Sequence, residues 1–153
     1  MARLVDERVC RPLGMVDAGF LPSLGLRSRI AATEDESYAG RGMLRGEVHD
    51  ENAWCLGGAV GHAGMFATAL DVARLGEMLR QDGELDGVRV LRQETIAAMC
   101  TDQLPTHLDP GFRQGLGVSI DDPSFIGSLA GPMTVGHTGF TGTSLVVDRA
   151  HGR

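Results

Sequence analysis

Apolar side chains recur every three or four residues in three segments of the chain, a spacing that places them on one face of a helix. This pattern predicts a helix over Met1–Arg11, which Pro12 ends because proline disfavours helical backbone in the residue before it. It also predicts a second helix over Thr68–Gln81 and a short third helix over Glu94–Thr101.

The start of the second helix has the sequence of a capping box. Thr68 stands three residues before Asp71, so its hydroxyl can accept from the Asp71 amide while the Asp71 carboxylate reaches back. Charged residues then recur at a spacing of three, and we expect this row to face water: Asp71, Arg74, Glu77 and Arg80.

Short apolar runs between turn signals predict strands. Asp86–Gly87 is typical of a two-residue hairpin turn and leads into a predicted strand at Val88–Leu91. Further strands are predicted at Gly115–Ile120, Met133–Gly136 and Thr143–Asp148. The chain therefore mixes helices with strands.

Polar and glycine-rich stretches connect these elements. Arg27–Asn52 is predicted to be a long ordered excursion, and Pro105–Phe112 is predicted to be a loop. Four glycines crowd around His62 before the second helix, where they favour tight turns and close approaches of the backbone: Gly57, Gly58, Gly61 and Gly64.

Length and charge narrow the class of protein. The chain has 153 residues, of which 42% are hydrophobic, so one domain with a core is expected. The formal net charge of -6 argues against nucleic acid as a partner. No run of about 18 apolar residues predicts a membrane span. The N-terminus lacks a signal-peptide pattern, so the compartment stays open, with the cytoplasm expected only if Met1 is the natural start.

The basic residues and the cysteines exclude several chemistries. All 14 basic residues are arginine, so the sequence holds no lysine for a Schiff base, a P-loop or a Ser-x-x-Lys nucleophile. Cys10, Cys55 and Cys100 are widely spaced and odd in number, which fits neither a disulfide framework nor a zinc site. We expect buried free thiols at these three positions.

A histidine between two predicted strands is the strongest local candidate for chemistry. His137 offers a donor or a cation, Thr138 offers a hydroxyl, and Gly139 permits close approach of a ligand. The backbone amide of Phe140 could point at an oxyanion. The tripeptide alone is also compatible with a surface turn that carries a histidine.

A second group of polar residues lies in the connecting segments: His49, Asp50, Asn52 and His62. Three interpretations are open for it, namely a metal site, hydrogen bonds that line a cleft or lock a loop, and plain surface. No metal is expected, because the spacing of two helical ligands is absent and the flanking segments are loops. Trp54 is expected to form part of a core or of a cleft wall.

Four segments resemble, in the right order, the serine β-lactamase-related family of class C β-lactamases, DD-peptidases and related esterases. Arg11–Phe20 resembles its "PLGM-x-D-T-x-F" signature, and Gly46–Phe66 its "G-x-VHDxNA…LGG-x-AGHAGLF" segment. Thr68–Leu79 is similar to its "STAxDLARF-x-x-ML" helix. Gly136–Ser144 resembles "GHTGFTGTS", which stands at the family's Lys-Thr-Gly position.

This resemblance implies an α+β fold, with an antiparallel sheet and flanking helices, and an enzyme that needs no cofactor. Residues 1–153 would be a single incomplete domain, the C-terminal part of the family's domain, truncated at both ends. The complete enzyme would hydrolyse an ester or amide, such as a β-lactam, a D-peptide or a small ester, through a serine acyl-enzyme. The family's Ser-x-x-Lys is absent here, and Tyr38, the only tyrosine, is not followed by the family's x-Asn. The chain alone is therefore predicted to be inactive.

The resemblance also implies roles for individual residues. His137 would replace the family's lysine and, with Thr138, would hold the carboxylate or ester oxygen of the substrate. Gly139 would let the substrate lie against the strand, and Phe140 would donate the second amide of the oxyanion hole. His49 and His62 would lie at the mouth of the substrate pocket.

The expected partner is a small-molecule ester, amide or peptide substrate, with the possibility of an N-terminal half that complements this chain. The alternative interpretation is a non-catalytic ligand-binding module, or a half-domain that needs a partner chain.

Overall fold

A computed structural model describes residues 1–105, 107–108 and 111–152. These residues form two compact units, Met1–Asp71 and Val72–Arg153. The loop predicted for Pro105–Phe112 includes Thr106, Asp109 and Pro110, which lie outside the described residues.

The first unit begins with helix α1 (Ala2–Val5), which continues as a π-helical turn over Asp6–Cys10. The helix predicted near the start is thereby confirmed. The other elements of this unit, in chain order, are β1 (Gly19–Phe20), a 3-10 helix (Leu24–Arg29), β2 (Asp35–Glu36), a 3-10 turn (Ser37–Ala39), β3 (Gly42–Met43), α2 (Glu51–Cys55) and β4 (Met65–Phe66).

The first unit contains two short antiparallel strand pairs, one between distant segments and one between neighbouring strands. β1 pairs with β4, with Gly19 opposite Phe66, and β2 pairs with β3, with Glu36 opposite Gly42. The polar segment that the sequence predicts as an ordered excursion therefore contains a hairpin. The buried side chains are mostly apolar, Leu13, Met15, Leu44 and Ala53 among them, but the fully buried Glu36 lies with them.

Helix α3 (Ala69–Arg80) confirms the predicted second helix and its capping box. The Asp71 amide donates to Thr68 Oγ1 at 3.1 Å, and Thr68 Oγ1 donates to the Asp71 carboxylate at 2.9 Å. Asp71 is only 3% exposed, so the prediction that it faces water is wrong. Its carboxylate turns back onto the helix start, which withdraws it from solvent.

The second unit holds most of α3 and a three-stranded sheet. Its further elements are β5 (Glu84–Leu85), β6 (Val88–Arg89), α4 (Gln93–Met99), β7 (Ser119–Ile120), α5 (Pro123–Ile126), a 3-10 turn (Gly127–Leu129), β8 (Thr134–Thr138) and β9 (Ser144–Asp148). The sheet order is β7-β8-β9, and both pairs are antiparallel. Ile120, Val135 and Val147 of this sheet pack with Val118 into one buried cluster.

Two local predictions in the second unit have different outcomes. The hairpin turn at Asp86–Gly87 is confirmed, with positive φ angles of 52° and 78° between β5 and β6. The strand predicted over Gly115–Ile120 is too long. The Gly115 amide bonds the Val118 carbonyl at 2.8 Å, so these residues turn and only Ser119–Ile120 joins the sheet.

The three cysteines are free, but they are not all buried. Burial of the Cys10 thiol raises its pKa, and Cys100 is half-buried with a raised pKa of the same main cause. Cys55 is exposed, so the prediction of a buried thiol is wrong there. It is the last residue of α2, a helix of five residues in which Ala53 is buried. Among the described residues, no helix is long and apolar enough to cross a membrane.

The capping box gives the first testable prediction. Replacing Asp71 by Ala leaves the Thr68 hydroxyl and the Thr68 backbone amide without their acceptor. The free energy of unfolding should therefore fall by about 1–2 kcal/mol. Urea denaturation measures this. The matched control is Glu94→Ala in the first turn of α4, an exposed residue expected to change stability by less than about 0.5 kcal/mol. Equal losses in the two variants would contradict the capping role.

Candidate functional site

The first candidate site is the hairpin between β8 and β9. His137 and Thr138 are the last two residues of β8 and pair with Leu145 and Ser144 of β9. The first three residues of β8 are buried, whereas His137 and Thr138 are exposed. The strand therefore changes from core to surface at the point where the predicted catalytic residues begin.

The loop that follows depends on two glycines. The Gly139 amide donates to the Thr143 carbonyl at 2.7 Å, and the Gly142 amide donates to the Gly139 carbonyl at 3.0 Å. A Cβ on Gly139 would lie 2.2 Å from Thr143 Oγ1, and Gly142 has a φ of 91°. Phe140 stands at the tip of this loop with its side chain 91% exposed.

The imidazole of His137 is held in one orientation. Its Nδ1 lies 2.6 Å from the Thr138 carbonyl oxygen. Because a carbonyl oxygen only accepts, Nδ1 carries the proton in this contact, and Nε2 remains for a ligand. Nε2 accepts a hydrogen bond when the ring is neutral and donates one when the ring is protonated.

His49 of the first unit lies between two carboxylates. Its Nε2 is 2.9 Å from Glu34 Oε2 and 3.2 Å from Glu36 Oε1. Glu36 is fully buried, and the His49 side chain is 14% exposed. The histidine therefore connects the β2 strand to the segment before α2.

Arg41 compensates the buried charge of Glu36. Its Nη1 donates to Glu36 Oε2 at 2.6 Å and to the His49 carbonyl at 3.0 Å. Its Nη2 donates to Glu47 Oε1 at 2.9 Å and also to the Val48 carbonyl, and its Nε donates to Glu47 at 3.2 Å. The guanidinium also lies 4.8 Å from the centre of the Trp54 ring.

His62 has a different carboxylate partner. Its Nε2 lies 3.1 Å from Asp50 Oδ1, which also accepts from the Ala53 amide at 2.7 Å and so caps α2. The bond from the Ala53 amide and the contact with His62 lower the pKa of Asp50. His62 thus fastens the glycine-rich segment to the start of α2, consistent with a hydrogen bond that locks a loop.

The structure brings His137, Thr138, Gly139 and Phe140 together on one hairpin of the second unit. It places His49 and His62 in the first unit, each on its own carboxylate partners. Within the described ranges, no group of three His, Cys, Asp or Glu side chains has the geometry to hold a metal ion.

Sequence reasoning missed Arg41 and Glu36 as the centre of the first unit. Both lie in a polar segment without periodicity, and only the β2–β3 pairing brings them next to the loop of Glu47. The isolated arginine between Gly40 and Gly42 is the feature of the sequence that could have indicated this centre. His151 lies with its Nδ1 2.8 Å from the buried Asp148 carboxylate.

Solved structures show which fold this chain adopts. A penicillin-binding protein homologue from Caulobacter crescentus superimposes with a TM-score of 0.67 at 20% identity, covering 99% of this chain and 44% of its own. EstCE1, described as a hydrolase with promiscuous acyltransferase activity, superimposes with a TM-score of 0.65 at 21% identity, covering 97% and 42%. The fold is therefore the α+β fold of the β-lactamase and penicillin-binding-protein class.

Sequence comparisons give the family. The Beta-lactamase family profile matches residues 1–153, and the chain belongs to that family. A protein of Escherichia coli K12 named as a D-alanyl-D-alanine carboxypeptidase is 36% identical over 164 residues, and one of Salmonella enteritidis with the same name is 32% identical. Each alignment covers 95% of this chain. The chain spans 36–37% of the length of these relatives.

The tight packing behind the His137 hairpin gives a prediction for Gly136. A Cβ there would lie 2.5 Å from the Leu145 carbonyl and 3.0 Å from the Phe125 ring, so Gly136→Ala should lower the free energy of unfolding by about 1–3 kcal/mol. Gly19→Ala is the control, because nothing lies within 4 Å of its Cβ position. Thermal denaturation compares the two, and an unchanged melting temperature for Gly136→Ala would show that the hairpin packs differently.

The buried ion pair gives a prediction for Arg41. Arg41→Met leaves Glu36 charged and buried, and should lower the free energy of unfolding by about 3–5 kcal/mol in urea. The double variant Arg41→Met/Glu36→Met should lose less, because it removes the uncompensated charge. Arg29→Met is the control, since its ion pair with Asp17 is exposed and should contribute little. A double variant no more stable than Arg41→Met would refute this account.

Proposed function

We propose that this chain is the C-terminal part of one domain of a serine hydrolase that acts on an ester or amide through an acyl-enzyme. The substrate would be a D-peptide, a β-lactam or a small ester. The observation that carries the proposal is the exposed end of β8, where His137 and Thr138 follow three buried residues in a chain of the β-lactamase family. The names of the Escherichia coli and Salmonella relatives favour a D-peptide.

The hairpin would bind the substrate at the carbonyl group that reacts during acyl transfer. The hydroxyl of Thr138 and Nε2 of His137 would hold the carboxylate or ester oxygen of the substrate. The Phe140 amide would donate one of the two oxyanion-hole hydrogen bonds, the second coming from the amide of the nucleophilic serine. Fixing His137 Nδ1 on the Thr138 carbonyl supports this role, because it orients the ring before the substrate binds.

The nucleophile must come from outside this sequence, which has no lysine to complete Ser-x-x-Lys. The proposal therefore includes a polypeptide segment that carries Ser-x-x-Lys and Tyr-x-Asn, either continuous with this chain or as a complementing partner. His49 and His62 would support the mouth of the pocket through their carboxylate contacts. A non-catalytic module that binds ligand without turnover is the alternative.

The test mixes this chain with the N-terminal segment of a family member that contains both motifs. A serine-reactive fluorophosphonate should label the mixture and not this chain alone, and the mixture should hydrolyse a chromogenic ester. Labelling of the chain alone that is lost on heat denaturation would contradict the proposal. Binding of peptide ligands without labelling or turnover in the mixture would support the non-catalytic module.

Two threonines of the same hairpin give a matched pair of variants. Thr138→Ala should lower kcat/KM of the mixture about 10-fold to 100-fold, as expected for a hydrogen bond to a charged group. Thr141→Ala, an exposed threonine of the loop, should change kcat/KM less than about 2-fold. Steady-state kinetics measures both. Equal effects of the two substitutions would show that Thr138 does not contact the substrate.

A further inference from the structure

Two cavities adjoin each other in the first unit. The larger has a volume of about 300 Å³ and is lined mainly by apolar groups, among them Leu21, Val48, Trp54 and Phe66. The smaller has a volume of about 130 Å³. The two share the lining residues Pro22, Gly46 and Glu47, so a single ligand can reach both.

Arginine side chains dominate the smaller cavity. Arg27, Arg41 and Arg45 line it together with Glu47, which gives the lining a formal charge of +2 from three arginines and one glutamate. When the buried Glu36 that pairs with Arg41 is included, the formal charge around the cavity is +1. This positive site stands in a chain whose formal net charge is -6.

The arginines of the segment 27–45 divide into two kinds, those whose side chains have partners and those whose side chains have none among the described residues. Arg29 is held by Asp17 at 2.9 Å, and Arg41 gives all its donors to carboxylates and carbonyls. Arg27 and Arg45 are exposed, and neither makes a side-chain hydrogen bond or ion pair with any residue that the structure describes. Their guanidinium groups are available to a ligand.

Glu47 does not block an anion in this cavity. Its Oε1 accepts from both Nη2 and Nε of Arg41, so this oxygen is held on Arg41, and Arg27 and Arg45 keep the balance of charge around the cavity positive. Ser23 adds a hydroxyl to the lining, and this hydroxyl does not cap the 3-10 helix that follows it. Two guanidinium groups and a hydroxyl are the donor set that binds carboxylate or phosphate oxygens.

The larger cavity suits an apolar group of moderate size. A cavity of about 150 Å³ accommodates benzene, so 300 Å³ holds an alkyl or aryl group of roughly eight carbons. Leu21 helps to form the wall although its φ of 51° is unfavourable for leucine, and its Cδ2 lies 2.6 Å from the Cβ position of Gly58. Only a glycine at position 58 leaves room for that side chain.

We infer that the two cavities together bind an organic anion with an apolar body. Its carboxylate or phosphate head lies between Arg27 and Arg45, and its alkyl or aryl body lies against Trp54 in the larger cavity. This site uses only residues of the first unit and needs neither the nucleophile nor the His137 hairpin, so it goes beyond the proposed hydrolase function and does not rest on it.

Trp54 reports on this site directly, because it lines the larger cavity and is the only tryptophan of the chain. The 153-residue chain is titrated with octanoate and octyl phosphate while tryptophan emission is followed, and calorimetry gives an independent dissociation constant. Either ligand, or both, should produce a saturable change, and the stronger of the two identifies the head group. Octanamide, acetate and inorganic phosphate should each bind at least about 10-fold more weakly, because each lacks the charge or the apolar body.

Variants of exposed arginines assign the binding to the smaller cavity. Arg27→Gln/Arg45→Gln should weaken binding of the stronger ligand at least about 10-fold. Arg8→Gln is the control, since Arg8 is an exposed arginine of the same unit that lines neither cavity, and it should leave the affinity unchanged. Circular dichroism of all variants checks that the fold is retained.

Three results would overturn the inference. Octanamide binding as tightly as octanoate and octyl phosphate would show that no anion site contributes. An unchanged affinity in Arg27→Gln/Arg45→Gln with retained circular dichroism would show that the arginines do not contact the head. A linear emission change without calorimetric heat would show that neither ligand occupies the cavities.

Discussion

The first unit depends on the pairing of Arg41 with the buried Glu36. Removing both charges from water is costly, and the cost is offset only because every donor of the guanidinium finds an acceptor. The same guanidinium holds the Glu47 and Val48 segment and lies against Trp54. One buried cation therefore fixes the hairpin of β2 and β3, the loop before α2 and the wall shared by the two cavities.

In the second unit the corresponding constraint is the register of β8 on β9. Val135 opposite Val147 anchors the pair in the core, and the same register carries His137 and Thr138 to the exposed end of the strand. A shift by one residue would exchange the buried and exposed faces, so the core specifies which side chains reach a ligand. This register positions the side chains, but the fold alone does not select the substrate.

Local signals explain what the sequence could predict. Sequences of a few residues encode three features that the structure contains: the capping box before α3, the Asp86–Gly87 turn and the strands around His137. The centre of the first unit is different, because Arg41 meets Glu36 and Glu47 through chain folding that no periodicity encodes. The burial of Asp71 was also not predicted. Helical spacing places a charged residue on one face of the helix, but it does not indicate whether the carboxylate turns back to bond Thr68.

A structure of the complemented enzyme with a phosphonate bound to its serine would test the central proposal most directly. If the β8–β9 hairpin forms the acyl-enzyme site, one phosphonate oxygen lies about 3 Å from the Phe140 amide nitrogen, and Thr138 contacts the adduct. An adduct whose oxygens are bound by other groups, with His137 and Thr138 facing solvent, would contradict the assignment.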